Sequence, residues 1–452
     1  MKFFVNEGLI PNDGSREVLK TLEESIVDQG IEIKVFPDVH YKKGSDVTNG
    51  LLTASDDKIL TSMLGVTNCG FTFGKIDTPK SLDDDDVLKL AEGFSRNLES
   101  YSKKVRYSRE YVVDEFVRYA MKEVQRNPLL SEKFDLKTEG KVRAEFNRLI
   151  PEKIIKAAQV TLGTLGGGNH FFEIQKVQSV YEKNEHLEKN DYVYLLHSDS
   201  IAVGNLVQIY YSNLNELWYL TGLRKYMSII LYRLRQLTYF SFKTKALFFD
   251  FRNTWKLIFG KEKHRVISVD SQVGKDLMKA YFFASIFGEM NRENMVRRFF
   301  EHSESGSGIS DIRYGSHSHD SIDVEQHNGK SMIVQRNGVQ GLKDSEMFAL
   351  PGALGTESYL MINSKNEEAF CSSNHGVGRI LDKHIATKAF SNKETEEKLS
   401  RKGIKIFRVG SGKISEQDPD AFKDVSIVVA EMESQGLGTK FAKLSPVCSL
   451  KG

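Results

Sequence analysis

Leu162-Gly163-Thr164-Leu165-Gly166-Gly167-Gly168-Asn169-His170-Phe171-Phe172-Glu173 carries four glycines within six residues, a density that excludes a regular helix. The segment therefore reads as a loop that delivers His170 to the start of a strand, with Glu173 three residues further on. Upstream, residues 141–159 read as a helix, and downstream, residues 191–196 read as a strand. Further outward, strands are expected at 331–336, 358–363 and 404–409, mixed with helices near 271–302 and 421–435. This mixture predicts an α+β fold.

Toward the N-terminus, residues 15–30 form an expected helix with Leu19, Leu22 and Ile26 on one face. The alternating strand 31–36 follows and hands Pro37-Asp38-Val39-His40 to a turn. Ser81 opens an acidic first turn and a long charged helical region to about residue 124. Residues 206–265 differ from the rest: both tryptophans, Trp218 and Trp255, and many other aromatics alternate with Arg224, Lys225, Arg233, Arg235, Lys243, Lys245, Arg252 and Lys256. Such a segment either stacks on single-stranded nucleic acid or packs its rings inward with cations outside.

The 452 residues allow two or three domains on size alone, and 27% charged with 40% hydrophobic residues is ordinary for a soluble enzyme. A net charge of +2 gives little support for a polyanionic partner, so any nucleic-acid case rests on local patches. Cys69, Cys371 and Cys448 are odd in number and lack CxxC spacing, which argues against a disulfide framework and fits a reducing cytoplasm. The N-terminus meets charge too early for a signal peptide, and no apolar run approaches bilayer-spanning length.

His375, in Asn374-His375-Gly376-Val377-Gly378-Arg379, is read as an exposed histidine between small residues, suited to act as a nucleophile toward a phosphate. Cys69 alone would be a small buried hydrophobe, and His197 or His319 alone a structural imidazole. Together, Cys69, His170, His197 and His319 offer a thiolate and three imidazoles, a donor set suited to zinc, manganese, iron or cobalt. The paired His317 and His319 turn is a further candidate, and Lys451 reads on composition as a solvated chain end.

The ordered motifs as a set resemble the RtcB family of RNA ligases: Pro37-Asp38-Val39-His40, the glycine-rich stretch above, His197-Ser198-Asp199-Ser200, Asn291-Arg292, Glu325-Gln326-His327, Pro351-Gly352-Ala353-Leu354-Gly355-Thr356, the His375 motif, Ala421-Phe422-Lys423-Asp424 and Lys451-Gly452. The resemblance spans residues 1–452 except the aromatic and basic insertion at 206–265, and implies one large catalytic fold with mixed sheets and surrounding helices. It implies a GTP-dependent ligase that uses one or two manganese ions to join RNA ending in a 3′-phosphate or 2′,3′-cyclic phosphate to RNA bearing a 5′-hydroxyl. His375 would carry a histidine-GMP intermediate. Metal ligands would be Cys69, His170, His197 and His319. Nucleotide contacts would come from Asn169, His170, Phe171, Phe172, Glu173, His319, Asp320, Pro351, Gly352, Ala353, Leu354, Ser358, His375, Gly376, Val377, Gly378 and Lys451. A protein activator is a further expected partner.

The sequence departs from the family pattern where Val66 replaces an aspartate three residues before Cys69, which puts the second metal in question. Asp320, after His319, is a candidate to compensate. Ala353 and Phe422 each replace a hydroxyl-bearing residue near the expected nucleotide. Two other function classes fit the same residues: an RNA-binding paralogue with little ligase activity, and a metal-dependent phosphodiesterase that activates water without a covalent nucleotide.

Overall fold

The computed structural model describes all residues except 12–13, 27, 44, 66, 80, 103, 183–186 and 218–265, and leaves the side chains of 209, 212–217 and 303–307 undescribed. Val66 and most of the aromatic and basic insertion thus lie outside the described residues. The described start of that insertion does not stand apart. It continues the helix Ile201–Leu217, whose Leu206, Val207 and Tyr211 are buried in the main core.

The chain is α+β, and its described residues form two large sheets and two short two-stranded ones. An eight-stranded sheet pairs Met347–Leu350, Ser358–Ile362, Thr439–Lys451, Phe171–Val180, Tyr192–Ser198, Gly70–Asp77 and Ser310–Ser318 in that order. These neighbours are antiparallel, while Lys405–Arg408 adds to the strand Thr439–Lys451 in parallel. The second sheet has five strands, Lys2–Phe3, Glu32–His40, Asn49–Ser55, Lys330–Asn337 and Asp320–His327. His319 is the single residue between Ser310–Ser318 and Asp320–His327, so it stands where the chain crosses from one sheet to the other.

Local chemistry sets the helix boundaries. The expected helix from 81 to 124 is two helices, Asp84–Ser95 and Arg109–Arg126, because Asp83 caps the first through a capping box and Ser108 caps the second. The expected helix at 141–159 is likewise Glu139–Leu149 and Glu152–Thr161. Pro151 divides them, since its ring excludes the preceding residue from helical geometry and it can occupy the start of the next helix. The N-terminal helix ends at Ile26, short of Gly30, and Pro37-Asp38-Val39-His40 is the buried end of a strand rather than a turn.

One long helix, Gln272–Ser307, braces both layers. Phe283, Phe287 and Met290 fill a helical core with Phe116 and Phe146, while Met295, Val296 and Phe299 pack under the large sheet against Phe94, Phe172 and Tyr194. Between these two apolar patches the helix presents Asn291 and Arg292, both fully buried.

Candidate active site

Antiparallel register gathers one end of four neighbouring strands. Phe71 pairs with His197, Phe171 also pairs with His197, and Gly70 pairs with Ser318. Cys69, His170 and His319 flank those paired residues, so four distant sequence positions meet at one strand edge. All four candidate ligands are buried. Cys69 Sγ lies 3.1 Å from His197 Nε2 and 3.6 Å from His170 Nε2, and His197 Nε2 lies 3.0 Å from His319 Nε2. Two groups of donors come together, Cys69 with His197 and His319, and Cys69 with His170 and Asp199.

The rings are turned by their outer nitrogens. His170 Nδ1 donates to the Leu165 carbonyl at 3.0 Å and His197 Nδ1 to the Asn169 carbonyl at 3.3 Å, leaving each Nε2 lone pair aimed inward. Gly166 makes the first contact possible, because it adopts φ +81° and a Cβ there would collide with the His170 ring. Burial lowers the pKa of His170, His197 and His319, with neighbouring imidazoles pushing His197 down further. Burial raises the Cys69 thiol, and the charges of Asp199 and Asp320 add to that rise. Neutral imidazoles beside a buried thiol form a soft pocket, and a divalent cation would draw the thiolate form. The donor atoms of Cys69, His197 and His319 all lie within 4.8 Å of one another, close enough to share one ion. The residues present therefore fit a divalent transition metal.

The Asn291-Arg292 pair builds the floor beneath. Asn291 accepts from Gly163 N at 2.7 Å and donates to the Thr164 carbonyl at 3.0 Å and Ser198 Oγ at 3.3 Å, tying the glycine-rich loop to the His197 strand. Arg292 donates to the Asn68 carbonyl and Asn68 Oδ1, both at 2.9 Å, to the Ser198 carbonyl at 3.2 Å and to Thr72 Oγ1 at 3.2 Å. It locks the turn that presents Cys69.

His375 is not exposed: 13% of its side chain reaches solvent, and its ring centroid lies 4.3 Å from that of His319. Its Nδ1 lies 2.5 Å from Asp38 Oδ2 and 2.8 Å from the Gly338 carbonyl. Two acceptors at Nδ1 place the proton there and leave the Nε2 lone pair free. Burial alone would lower this imidazole, but the Asp38 hydrogen bond and charge outweigh it and hold the ring above its ordinary range. Asp38 is positioned in turn by Gly378, whose φ of +73° and missing Cβ let the two backbones touch. Lys423 Nζ also fixes that strand end, donating to the Pro37 and Val39 carbonyls at 2.8 Å.

The residues expected at a nucleotide divide into two kinds. Gln175 Nε2 bridges Glu173 Oε2 at 2.8 Å and Ser358 Oγ at 3.1 Å, and Gly352 N donates to Ser358 Oγ at 3.2 Å, so one chain joins three of them. Lys451 pairs with Phe171 across the sheet and is buried, not frayed. Burial pushes its ammonium down to about 8 and pushes the Glu173 carboxyl up. Asn169 is exposed at the loop tip. By contrast, Phe172 packs between Phe94 and Phe299, and Leu354 packs with Leu399, Ile404 and Ile414. Val377 is likewise core, so these three offer a ligand only their backbones.

Other candidates fall outside the donor cluster. His317 Nε2 contacts Glu346 at 3.2 Å instead. Asp320 accepts from Gly338 N at 2.8 Å and faces the outer Nδ1 of His319 at 3.4 Å, behind that ring. Phe422 carries the Arg379 guanidinium on its face at 4.3 Å, and Ala353 accepts from Thr356 through its carbonyl. Asp38, Asp199 and Lys423 were visible in quoted motifs without assigned roles, whereas Gln175 carried no signal at all.

A family model described as tRNA-splicing ligase RtcB matches residues 26–452. A tRNA-splicing ligase RtcB of Methanococcus maripaludis is 26% identical over 457 residues, covering 92% of this chain and 87% of the relative. The RNA-splicing ligase RtcB of Escherichia coli is 28% identical over 280 residues, 60% of this chain and 56% of the relative. The tRNA-splicing ligase RtcB of Methanocaldococcus jannaschii is 25% identical over 444 residues, 89% of this chain and 41% of its own length. The match thus spans about half of the Escherichia coli relative and less than half of the Methanocaldococcus jannaschii one.

Proposed function

Because the chain belongs to the RtcB family, we propose that it is an RNA ligase of the tRNA-splicing type. It joins a 3′-phosphate or 2′,3′-cyclic-phosphate end to a 5′-hydroxyl end at the expense of GTP. The observation that carries this reading is the pairing of His375 with Asp38 beside the Cys69, His197 and His319 donors. A nucleophile and a cation site share one wall there.

The Asp38 carboxylate and the Gly338 carbonyl hold the Nδ1 proton, so His375 Nε2 attacks the α-phosphorus of GTP. A nitrogen–phosphorus bond forms as pyrophosphate leaves. An oxygen of the RNA 3′-phosphate then attacks the same phosphorus and frees His375, and the 5′-hydroxyl oxygen finally attacks the RNA phosphate and expels GMP. A cyclic phosphate first opens by adding water. The buried Lys451 and the exposed Asn169 serve the nucleotide, and the Gly352 turn and Ser358 shape its base pocket. Cys69, His170, His197 and His319 would hold manganese, which when bound would supply positive charge to the reacting phosphates.

Among the described residues no helix is long and apolar enough to cross a membrane, and we place the enzyme with its RNA in the cytoplasm. The test is joining of two synthetic RNA strands, one ending in 3′-phosphate and one beginning with 5′-hydroxyl, with GTP and manganese. The wild type seals them and His375→Ala does not. Cleavage or unaltered strands with the wild type, across several metals, would overturn the ligase reading.

A further inference from the structure

Among the described residues one carboxylate comes together with Cys69 and His170, that of Asp199, while valine stands at position 66 where the resemblance expects an aspartate. Asp199 follows the His197 strand and sits 14% exposed. One of its carboxylate oxygens, Oδ1, accepts from the Ile201 backbone N–H, which fixes the group as the chain turns into the helix Ile201–Leu217. The other oxygen, Oδ2, faces inward and lies 3.6 Å from His170 Nε2.

The inward atoms all offer electrons. His170 Nδ1 carries its hydrogen toward the Leu165 carbonyl, so Nε2 presents a lone pair. Cys69 Sγ lies 3.6 Å from that nitrogen, and the sulfur, nitrogen and carboxylate oxygen lie within 4.8 Å of one another. Without an ion the neutral Cys69 thiol can donate to His170 Nε2, and a divalent cation at the centre would replace that hydrogen bond and draw all three atoms as ligands. Adjacent donors on a tetrahedral ion with bonds of about 2.0–2.3 Å stand roughly 3.3–3.8 Å apart, which both 3.6 Å separations match. Asn291 donates to the Asp199 carbonyl at 3.3 Å, so the buried floor that fixes the loop also fixes this residue.

We propose that Asp199 is a metal ligand that completes, with Cys69 and His170, a second divalent-cation position beside the one formed by Cys69, His197 and His319. Asp199 takes over the carboxylate function missing at Val66, and Cys69 is common to both positions. Asp320 stays behind His319 and orients its ring. The inference rests on the metal half of the proposed function and is independent of the ligase chemistry.

The experiment is manganese titration of the metal-free full chain, without nucleotide or RNA, followed by calorimetry, by elemental analysis and by electron paramagnetic resonance. The wild type takes up two ions and shows a spin-coupled pair. Asp199→Asn keeps the cap and the volume but binds the second ion at least about tenfold more weakly, and its spectrum is that of an isolated ion. His319→Ala loses the other ion and keeps the one that depends on Asp199, which shows that the folded pocket survives substitution. Asp320→Ala retains both. A wild type that binds a single ion, or an Asp199→Asn protein that holds two with unchanged affinity, overturns the proposal. Because no GTP is present, two ions can bind even where His375 fails to label, so the two readings fail separately.

Discussion

Replacement of Asp38 by asparagine isolates the group that sets the His375 tautomer. The side chain is fully buried and its Oδ2 lies 2.5 Å from His375 Nδ1, so an isosteric amide keeps the packing and removes only the charge. A hydrogen bond to a charged group contributes about 1.5–3 kcal/mol. With about 1.4 kcal/mol per tenfold in rate, that loss slows attack on GTP by roughly 10- to 150-fold. The upper end is expected, because the asparagine amide can donate to Nδ1 and favour the tautomer whose Nε2 carries the hydrogen. Single-turnover transfer of label from GTP to protein measures this step before RNA takes part. Manganese stoichiometry should stay near wild type, and the weakened bond should lower the melting temperature by no more than a few degrees. Labelling within twofold of wild type would refute the argument that Asp38 prepares the nucleophile.

Other perturbations follow from the same geometry. Gly378→Ala forces a Cβ into the Asp38 backbone at φ +73°, so labelling should fall as it does in Asp38→Asn while manganese uptake is retained. Arg292→Met strands buried acceptors on Asn68, Ser198 and Thr72 and should cost more than about 3 kcal/mol in urea unfolding; a loss below about 1 kcal/mol would contradict its role. Lys451→Met should raise the melting temperature at pH 7 yet abolish labelling, since a buried ammonium is costly. Its folded pKa is lowered to about 8 from 10.5, so that cost is fully present below pH 8 and shrinks as pH rises toward 10.5. A stability difference between wild type and variant that holds constant over that window would exclude Lys451 as its source.

Which features were legible in the sequence depended on how local their causes are. The glycine-rich loop announced itself through residue type, and it does carry His170 into a strand. Helix ends were misjudged where a cap or a proline outweighed amphipathic spacing, as at Ser108 and Pro151. Cys69, His170, His197 and His319 could be chosen by donor chemistry, but their convergence depends on antiparallel register between strands far apart in the chain. Burial misled twice for the same reason. His375 and Lys451 have small or terminal neighbours that suggest exposure, yet the Asp38 strand covers one and sheet pairing buries the other. Asp199 reaches His170, and Gln175 reaches Ser358, only through the fold, so no spacing rule marks these contacts.

The central claim is that His375, held by Asp38 beside the metal ligands, accepts a guanylyl group from GTP. Its most direct test is incubation of the purified chain with α-labelled GTP and manganese, followed by acid treatment and peptide mapping. The account predicts an acid-labile GMP adduct on the peptide containing His375, absent in His375→Ala. An adduct on another residue, or no adduct with any divalent metal, would contradict it.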